Sequence, residues 1–321
     1  MVCAHTTPGE LTFRILIVIL FKDFSESGPS CYLQECSSVS FLRKRIKVEP
    51  AWVYRAKGLV WRVVSAGTSM LVGEDRSPED KRVTFFGLNR ITGEVLWENV
   101  SFDEPWWISI EATCGDRVFL HGFARPDMPD HQRILALDLP TGRVAWSKDD
   151  MRYVSTAGDS VFTSKDTVTG RLIFELHRQT GETVQTWDND AAGIRAAQSR
   201  AASSPEEGPE FPVPLTDVLS TDQRLGPVQK LSQDDRVVGQ IEVILKGNLC
   251  MFSYHEKNAA GLLRNILGVV HGGSGERVFS ETLSENVQSV VPDSFFLQGG
   301  ILYFVRERSW LTAVNIAGLL Q

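Results

Sequence analysis

The sequence predicts an all-β fold assembled from repeated four-stranded antiparallel sheets, and three observations carry that reading. The stretch "ITGEVLW", Ile91 to Trp97, returns as "PTGRVAW", Pro140 to Trp146. Aligned on the glycine of each turn, the copies fall at Gly93, Gly142, Gly181 and, in "SGERVF", Gly275; the intervals are 49 (142 minus 93), 39 (181 minus 142) and 94 (275 minus 181). The last is two periods of about 47 residues, in the range of a propeller blade. Third, β-branched and aromatic runs in every unit are punctuated by Gly, Pro and Asp at strand-and-turn distances. The expected architecture is a β-propeller of four-stranded blades, six by the count of periods, with the N-terminal strand closing the last blade.

Each unit opens on a glycine and an apolar run: "GTSMLVGEDRSPEDKRVTFFGLNRITG", "GDRVFLHGFARPDMPDHQRILALDLPTG", "GDSVFTSKDTVTGRLIFELHRQTG", "GNLCMFSYHEKNAAGLLRNILGVVHGGSG" and a shorter "GGILYFVRERSWLTAVNIAG". In the clearest copy, strand A is expected at 106–113, B at 117–123, C at 133–139 and D at 143–148. The turn between C and D needs positive φ, which glycine adopts without steric cost. The tryptophan four residues later lies on strand D, where a broad ring fills the gap between neighbouring sheets. In the last copy A (288–297), B (301–306) and C (310–316) have no strand D after them. An open ring would expose an unpaired edge, so the alternating "SFLRKRIKV" at 40–48 is expected to complete that blade beside 310–316.

Two segments interrupt the repeat. Residues 1–37 carry no copy of it and are expected as a flexible extension, leaving 38–321 as the propeller domain. Residues 189–235, rich in Ala, Ser, Pro and Glu, form either a degenerate blade or an irregular insertion, with a short helix at 191–202.

"NRITGEVLW" and "DLPTGRVAW" resemble the pyrroloquinoline-quinone-type propeller repeat: a polar residue or aspartate, a Thr-Gly turn and a tryptophan. The resemblance covers 59–188 well and 240–318 loosely, and the chain is also similar to an uncharacterised bacterial domain-of-unknown-function family with this kind of repeat. The quinone dehydrogenases are longer, with eight blades, a vicinal disulfide and a calcium-bound cofactor. This chain has no Cys-Cys pair, so no cofactor is carried over.

Composition narrows the function. The 321 residues are 42% hydrophobic and 23% charged, and a net charge of -7 argues against a nucleic-acid partner, which would need clustered Lys and Arg. Five cysteines without a CxxC pair fit neither a disulfide framework nor a zinc knuckle, and reduced thiols suit a cytoplasmic protein. The apolar run Ile15 to Phe21 would permit export if it acted as a signal, but seven residues cannot span a bilayer. No GxSxG, HExxH or P-loop is present.

Propeller geometry sends the D to A and B to C connections to one face. It gathers "FDEPWW" (102–107), "ARPDMPDHQ" (124–132) and "SKDDM" (147–151), and so offers Asp103, Glu104, Trp106, Trp107, Asp127, Asp130 and His131 to a ligand, with His121 at the same mouth or in the core. Asp127, Asp130 and His131 could hold a metal, but their spacing is not specific for one and none is expected. The expected function is a non-catalytic binding or scaffold module for a protein, peptide or glycan. The alternatives are a carbohydrate-active propeller enzyme using the acidic and aromatic residues of this face, and an envelope assembly scaffold similar to the propeller lipoprotein of the outer-membrane barrel machine.

Overall fold

The computed structural model describes residues 16–17, 48–125, 128–188, 190–201, 208–218 and 221–320, with the backbone alone at 16–17, 124–125, 128–130 and part of the helix at 190–201. Among the described residues twenty-two strands form five antiparallel sheets. The chain enters through β1 (Leu16–Ile17) and β2 (Trp52–Arg55). The first sheet then runs β3 (Leu59–Ala66), β4 (Met70–Ser77), β5 (Arg82–Asn89) and β6 (Val95–Val100), with β1 against β3. The second holds β7 (Ile108–Cys114), β8 (Arg117–Arg125), β9 (Met128–Asp138) and β10 (Val144–Lys148), within a few residues of the expected strands. The third holds β11 (Arg152–Ala157), β12 (Ser160–Thr167), β13 (Gly170–His177) and β14 (Thr183–Trp187). The fourth runs β15 (Val213–Pro214), β16 (Val237–Lys246), β17 (Leu249–Lys257), β18 (Leu263–His271) and β19 (Arg277–Val287). The fifth contains β20 (Phe295–Gln298), β21 (Ile301–Arg306), β22 (Trp310–Asn315) and β2.

Neighbouring sheets share their cores. Phe86 and Leu88 of the first sheet pack with Phe296 and Tyr303 of the fifth. On its other side, Phe85 and Trp97 meet Ile110, Leu120 and Leu137 of the second. Phe119 and Trp146 of the second bury against Val161 and Leu176 of the third, and Met251 and Leu267 of the fourth join Phe295 and Phe304 of the fifth. The five glycines that open the units have φ of 56, 57, 57, 55 and 57° at positions 67, 115, 158, 247 and 299, so the sequence repeat is also a conformational one.

The Thr-Gly turn and the tryptophan are two halves of one joint. Gly93, Gly142 and Gly181 have φ of 73, 67 and 69°. A Cβ on each would lie 2.5, 2.7 and 2.6 Å from an indole atom of Trp52, Trp97 and Trp146, respectively, each of which belongs to the preceding sheet. Those indoles, all 8% exposed, donate from Nε1 to Arg90 O (3.0 Å), Leu139 O (2.8 Å) and Arg178 O (2.9 Å). Glycine is therefore required twice, by its φ and by the ring lying on it.

This joint corrects the expected closing strand. The strand beyond β22 in the fifth sheet is β2, pairing Trp52↔Ala313 and Arg55↔Trp310; residues 40–47 of the expected strand lie outside the described residues. The alternation at 40–48 is a general strand signal. Trp52, the same residue that marks strand D elsewhere, is the specific one.

Among the described residues five sheets form, and the segment at the expected sixth period does not build another. It makes α1 (Asp190–Ala201) and α2 (Gly226–Leu231). Ile194 and Ala196 of α1 cover Phe162, Ile173 and Trp187 of the third sheet, and Leu225 and Val228 pack on the fourth. The joint is altered on both sides of this insertion. Exposed Gln185 stands in β14 where the first two units have tryptophan and the fourth has Phe279, and the ring of Pro227 covers Gly275, 3.1 Å from the position of a Cβ. Between the helices the chain follows the inner edges of the last two sheets, with Glu210 bridged to Leu297 and β15 paired to β16, so these edges are covered. No helix among the described residues is long and apolar enough to cross a membrane.

Candidate functional site

The second sheet is irregular where its strands reach the D to A and B to C face. Between β7 and β8 the register steps from Ile110↔Leu120 to Ala112↔Phe119, which leaves Glu111 as the extra residue of a bulge. Between β8 and β9 it steps from His121↔Ile134 to Gly122↔Gln132, which leaves Arg133 as the extra residue, at φ 66°. Bulges re-aim side chains. Phe123 then faces His131, and His121, two residues back along β8, shares that face.

Three chemistry-bearing groups meet there. Glu111 Oε2 lies 2.6 Å from His121 Nδ1 and 3.0 Å from His131 Nδ1. The two imidazoles stack with centroids 3.5 Å apart and planes 7° from parallel, and Phe123 stands edge-on to both. The side chain of His121 is only 5% exposed, and neither of its ring nitrogens forms an aligned hydrogen bond; the short approach to Glu111 is one of distance, not of N–H direction. Burial pushes the Glu111 pKa up, and the two imidazoles more than offset this, holding the carboxyl at about 2. Burial lowers the His121 pKa, against the pull of Glu111, and so favours the neutral ring. Arg62 reaches over from the first sheet and donates to the backbone carbonyls of Ile110 and Glu111.

Two of the predicted segments are tied to each other. Asp103 Oδ1 accepts from Arg133 Nη1 at 2.8 Å, and Arg133 Nε lies 3.1 Å from Asp149, so 102–107 and 147–151 are tied through a residue that sequence reasoning did not single out. The Arg133 hydrogen bond holds the Asp103 carboxyl below its ordinary range. Glu104 Oε1 accepts the backbone N–H of Trp106 (3.0 Å) and of Trp107 (2.8 Å), which makes it an organiser of the loop. The paired tryptophans divide their roles. Trp106 is half-buried beneath the Arg76 guanidinium, 5.1 Å from its ring centroid, whereas Trp107 is 37% exposed and edge-on to Phe123 at 6.0 Å. Asp127 lies outside the described residues, and Asp130 is described by its backbone alone in β9. The metal trio considered from sequence therefore lies mostly outside the described residues; the described close neighbours of His131 are Glu111, His121 and Phe123.

A second polar cluster lies between the fourth and fifth sheets. A cleft of about 20 Å³, the size of one water, is lined by Asn265, Ser284, Asp293 and Ser294, and its wall is tied by Asn265 Nδ2 donating to Ser294 Oγ at 2.7 Å. It is too small for an organic ligand. Beside it His255, 2% exposed, accepts the Val291 N–H at 3.1 Å, and burial lowers its pKa to about 4. Because the folded value lies below the unfolded value of about 6.5, the unfolded chain takes up the proton first as pH falls. Stability should be undiminished by this group above pH ~6.5 and fall by on the order of 3 kcal/mol between pH ~6.5 and 4. Urea unfolding across that window checks this, with His255→Gln expected to flatten the slope and an unchanged slope assigning it to other groups.

Antiparallel sheets packed in succession through tryptophan joints, with bulged strands raising a polar and aromatic face on one of them, define a propeller-like repeat protein. The family model for a domain of unknown function (DUF4905) matches residues 64–146, which contain both halves of the joint of Trp97 with Gly142. No curated protein matches. Among solved structures the chain is similar to BamB from Moraxella catarrhalis, at 12% identity over 88% of this chain and 98% of that one, with a TM-score of 0.31. It is also similar to the quinohemoprotein alcohol dehydrogenase of Comamonas testosteroni, at 11% identity over 82% of this chain and 44% of that one, with a TM-score of 0.27. An uncharacterised protein from Listeria monocytogenes EGD-e aligns at 12% identity over 78% of this chain and 75% of that one, with a TM-score of 0.28. Likeness of this depth carries nothing about activity or partner.

Proposed function

We propose that the chain is a non-catalytic binding module that takes a protein, peptide or glycan on the D to A and B to C face of its second sheet. The observation that carries this reading is Trp107: an exposed indole braced edge-on by Phe123, beside the partly exposed His131 and the Asp103, Arg133 and Asp149 charges. An aromatic plane next to fixed charges suits stacking on a sugar or a peptide side chain. A general acid needs a raised pKa, and Asp103 and Glu111 are both held low, which supports binding over acid catalysis by either of these two. We place the module in the cytoplasm, with its thiols reduced.

The test is a peptide and glycan array read with wild type and variants. Trp107→Ala should abolish binding of any ligand found and leave the melting temperature within about 2 °C, since an exposed ring contributes little to the fold. Trp106→Ala should lower stability as well, because its ring covers Arg76. A ligand whose affinity ignores Trp107, Asp103 and His131 together would move the site elsewhere.

A further inference from the structure

We infer that Glu111, His121 and His131 form a binding site for one divalent transition-metal ion of the zinc class, open on its solvent side. The donor set is two imidazole nitrogens and one carboxylate oxygen, all within 4.8 Å of one another. Two donors held about 2.1 Å from one ion at a tetrahedral angle lie about 3.4 Å apart, so the 2.6 and 3.0 Å approaches must widen, and the stacked rings must also turn until their in-plane Nδ1 lone pairs converge on one point.

An ordinary ion-paired triad accounts for these groups less well. A charged histidine in a dry site directs its N–H along the line to the carboxylate, because that bond repays the cost of burial. Here His121 is buried with both ring nitrogens lacking an aligned partner. Two imidazoles stacked at 3.5 Å also cannot both carry charge without strong repulsion, and the neutral ring is the form that binds metal. The guanidinium of Arg62 is engaged with the backbone carbonyls of Ile110 and Glu111, and the ion pairs of the Glu111 carboxylate are with the two histidines.

The donors come from three adjacent strands and are brought together by the bulges at Glu111 and Arg133, so the site is a property of the fold and not of a sequence motif. His131 and Glu111, at 36% and 21% side-chain exposure, leave the outer side open to water or to a ligand group. With zinc chemistry such a site takes a fourth donor from solvent or from a bound carboxylate.

The test uses the full chain stripped with chelator and titrated with Co²⁺, followed by competition with Zn²⁺. One equivalent should bind, with visible d–d absorption and no thiolate charge-transfer band, and should raise the melting temperature. Glu111→Gln and His131→Ala should each weaken Co²⁺ by more than about 100-fold, since even the supporting partners of a metal ligand are worth about 10- to 100-fold. His131→Ala removes a partly exposed ring, so it keeps the test valid if a change at buried His121 prevents folding. Absence of uptake by the folded wild type, uptake indifferent to both substitutions, or a thiolate band would each overturn the assignment.

Discussion

Trp146→Ala and Trp97→Ala should each lower the unfolding free energy by about 3–5 kcal/mol, the cost of emptying a buried aromatic site. Each indole is the buried residue of an otherwise exposed outer strand, and it ties that strand to the next sheet by packing and by its Nε1–H bond to a carbonyl. Losing the ring leaves a cavity and an unsatisfied carbonyl at one place. The reciprocal change, Gly142→Val, should cost as much. Strain at φ 67° alone is worth on the order of 1–2 kcal/mol, but the new Cβ would also lie 2.7 Å from Trp97 Cδ2 and force the indole out. Urea titration of the two singles and the pair Trp97→Ala with Gly142→Val checks the coupling. Additive losses would mean that ring and turn are independent, against the geometry.

An equal loss, about 3–5 kcal/mol, should follow Arg76→Met, because it strands a charge. Glu74 is 0% exposed and lies between the first two sheets, where Oε1 accepts from Ser109 Oγ (2.5 Å) and the Ile110 N–H (2.7 Å) and Oε2 pairs with Arg76 at 2.8 Å. Arg76 in turn donates to the carbonyls of Trp106 (2.9 Å) and Ile108 (2.6 Å). The pair thus crosses the interface as a set of hydrogen bonds to the backbone of β7 and the loop before it. Adding Glu74→Gln to Arg76→Met should recover a large part of the loss, since a neutral amide removes the uncompensated charge. Failure of the double variant to recover would show that backbone tethering by Arg76, and not charge pairing, dominates.

The repeat was legible because its two marks are local and chemically forced: a glycine at positive φ and a ring large enough to span a gap. What sequence reading lost was whatever depends on register. Glu111, His121 and His131 occupy three strands, and strict alternation gives no hint that bulges at Glu111 and Arg133 will gather them. The non-glycine left-handed Arg133 has no composition signal at all. The closing strand was misplaced for the opposite reason, because a periodic pattern at 40–48 outweighed one informative residue, Trp52. The break in the repeat was also readable. Gln185 stands at the tryptophan position of the unit just before the insertion, where α1 covers the third sheet.

The pairing of β2 with β22 sets an order of events during synthesis. Trp52 meets Ala313, 261 positions later (313 minus 52), so one edge of the final sheet is made first and used last. Its ring, however, docks on Gly93 and the Arg90 carbonyl, which emerge soon after it. The nascent chain can therefore park this strand against the first sheet and carry it as a ready template while the remaining units assemble. Long-range closure of this kind is slow when the ends must search for each other; here the search is shortened because one end is already held in place when the other arrives.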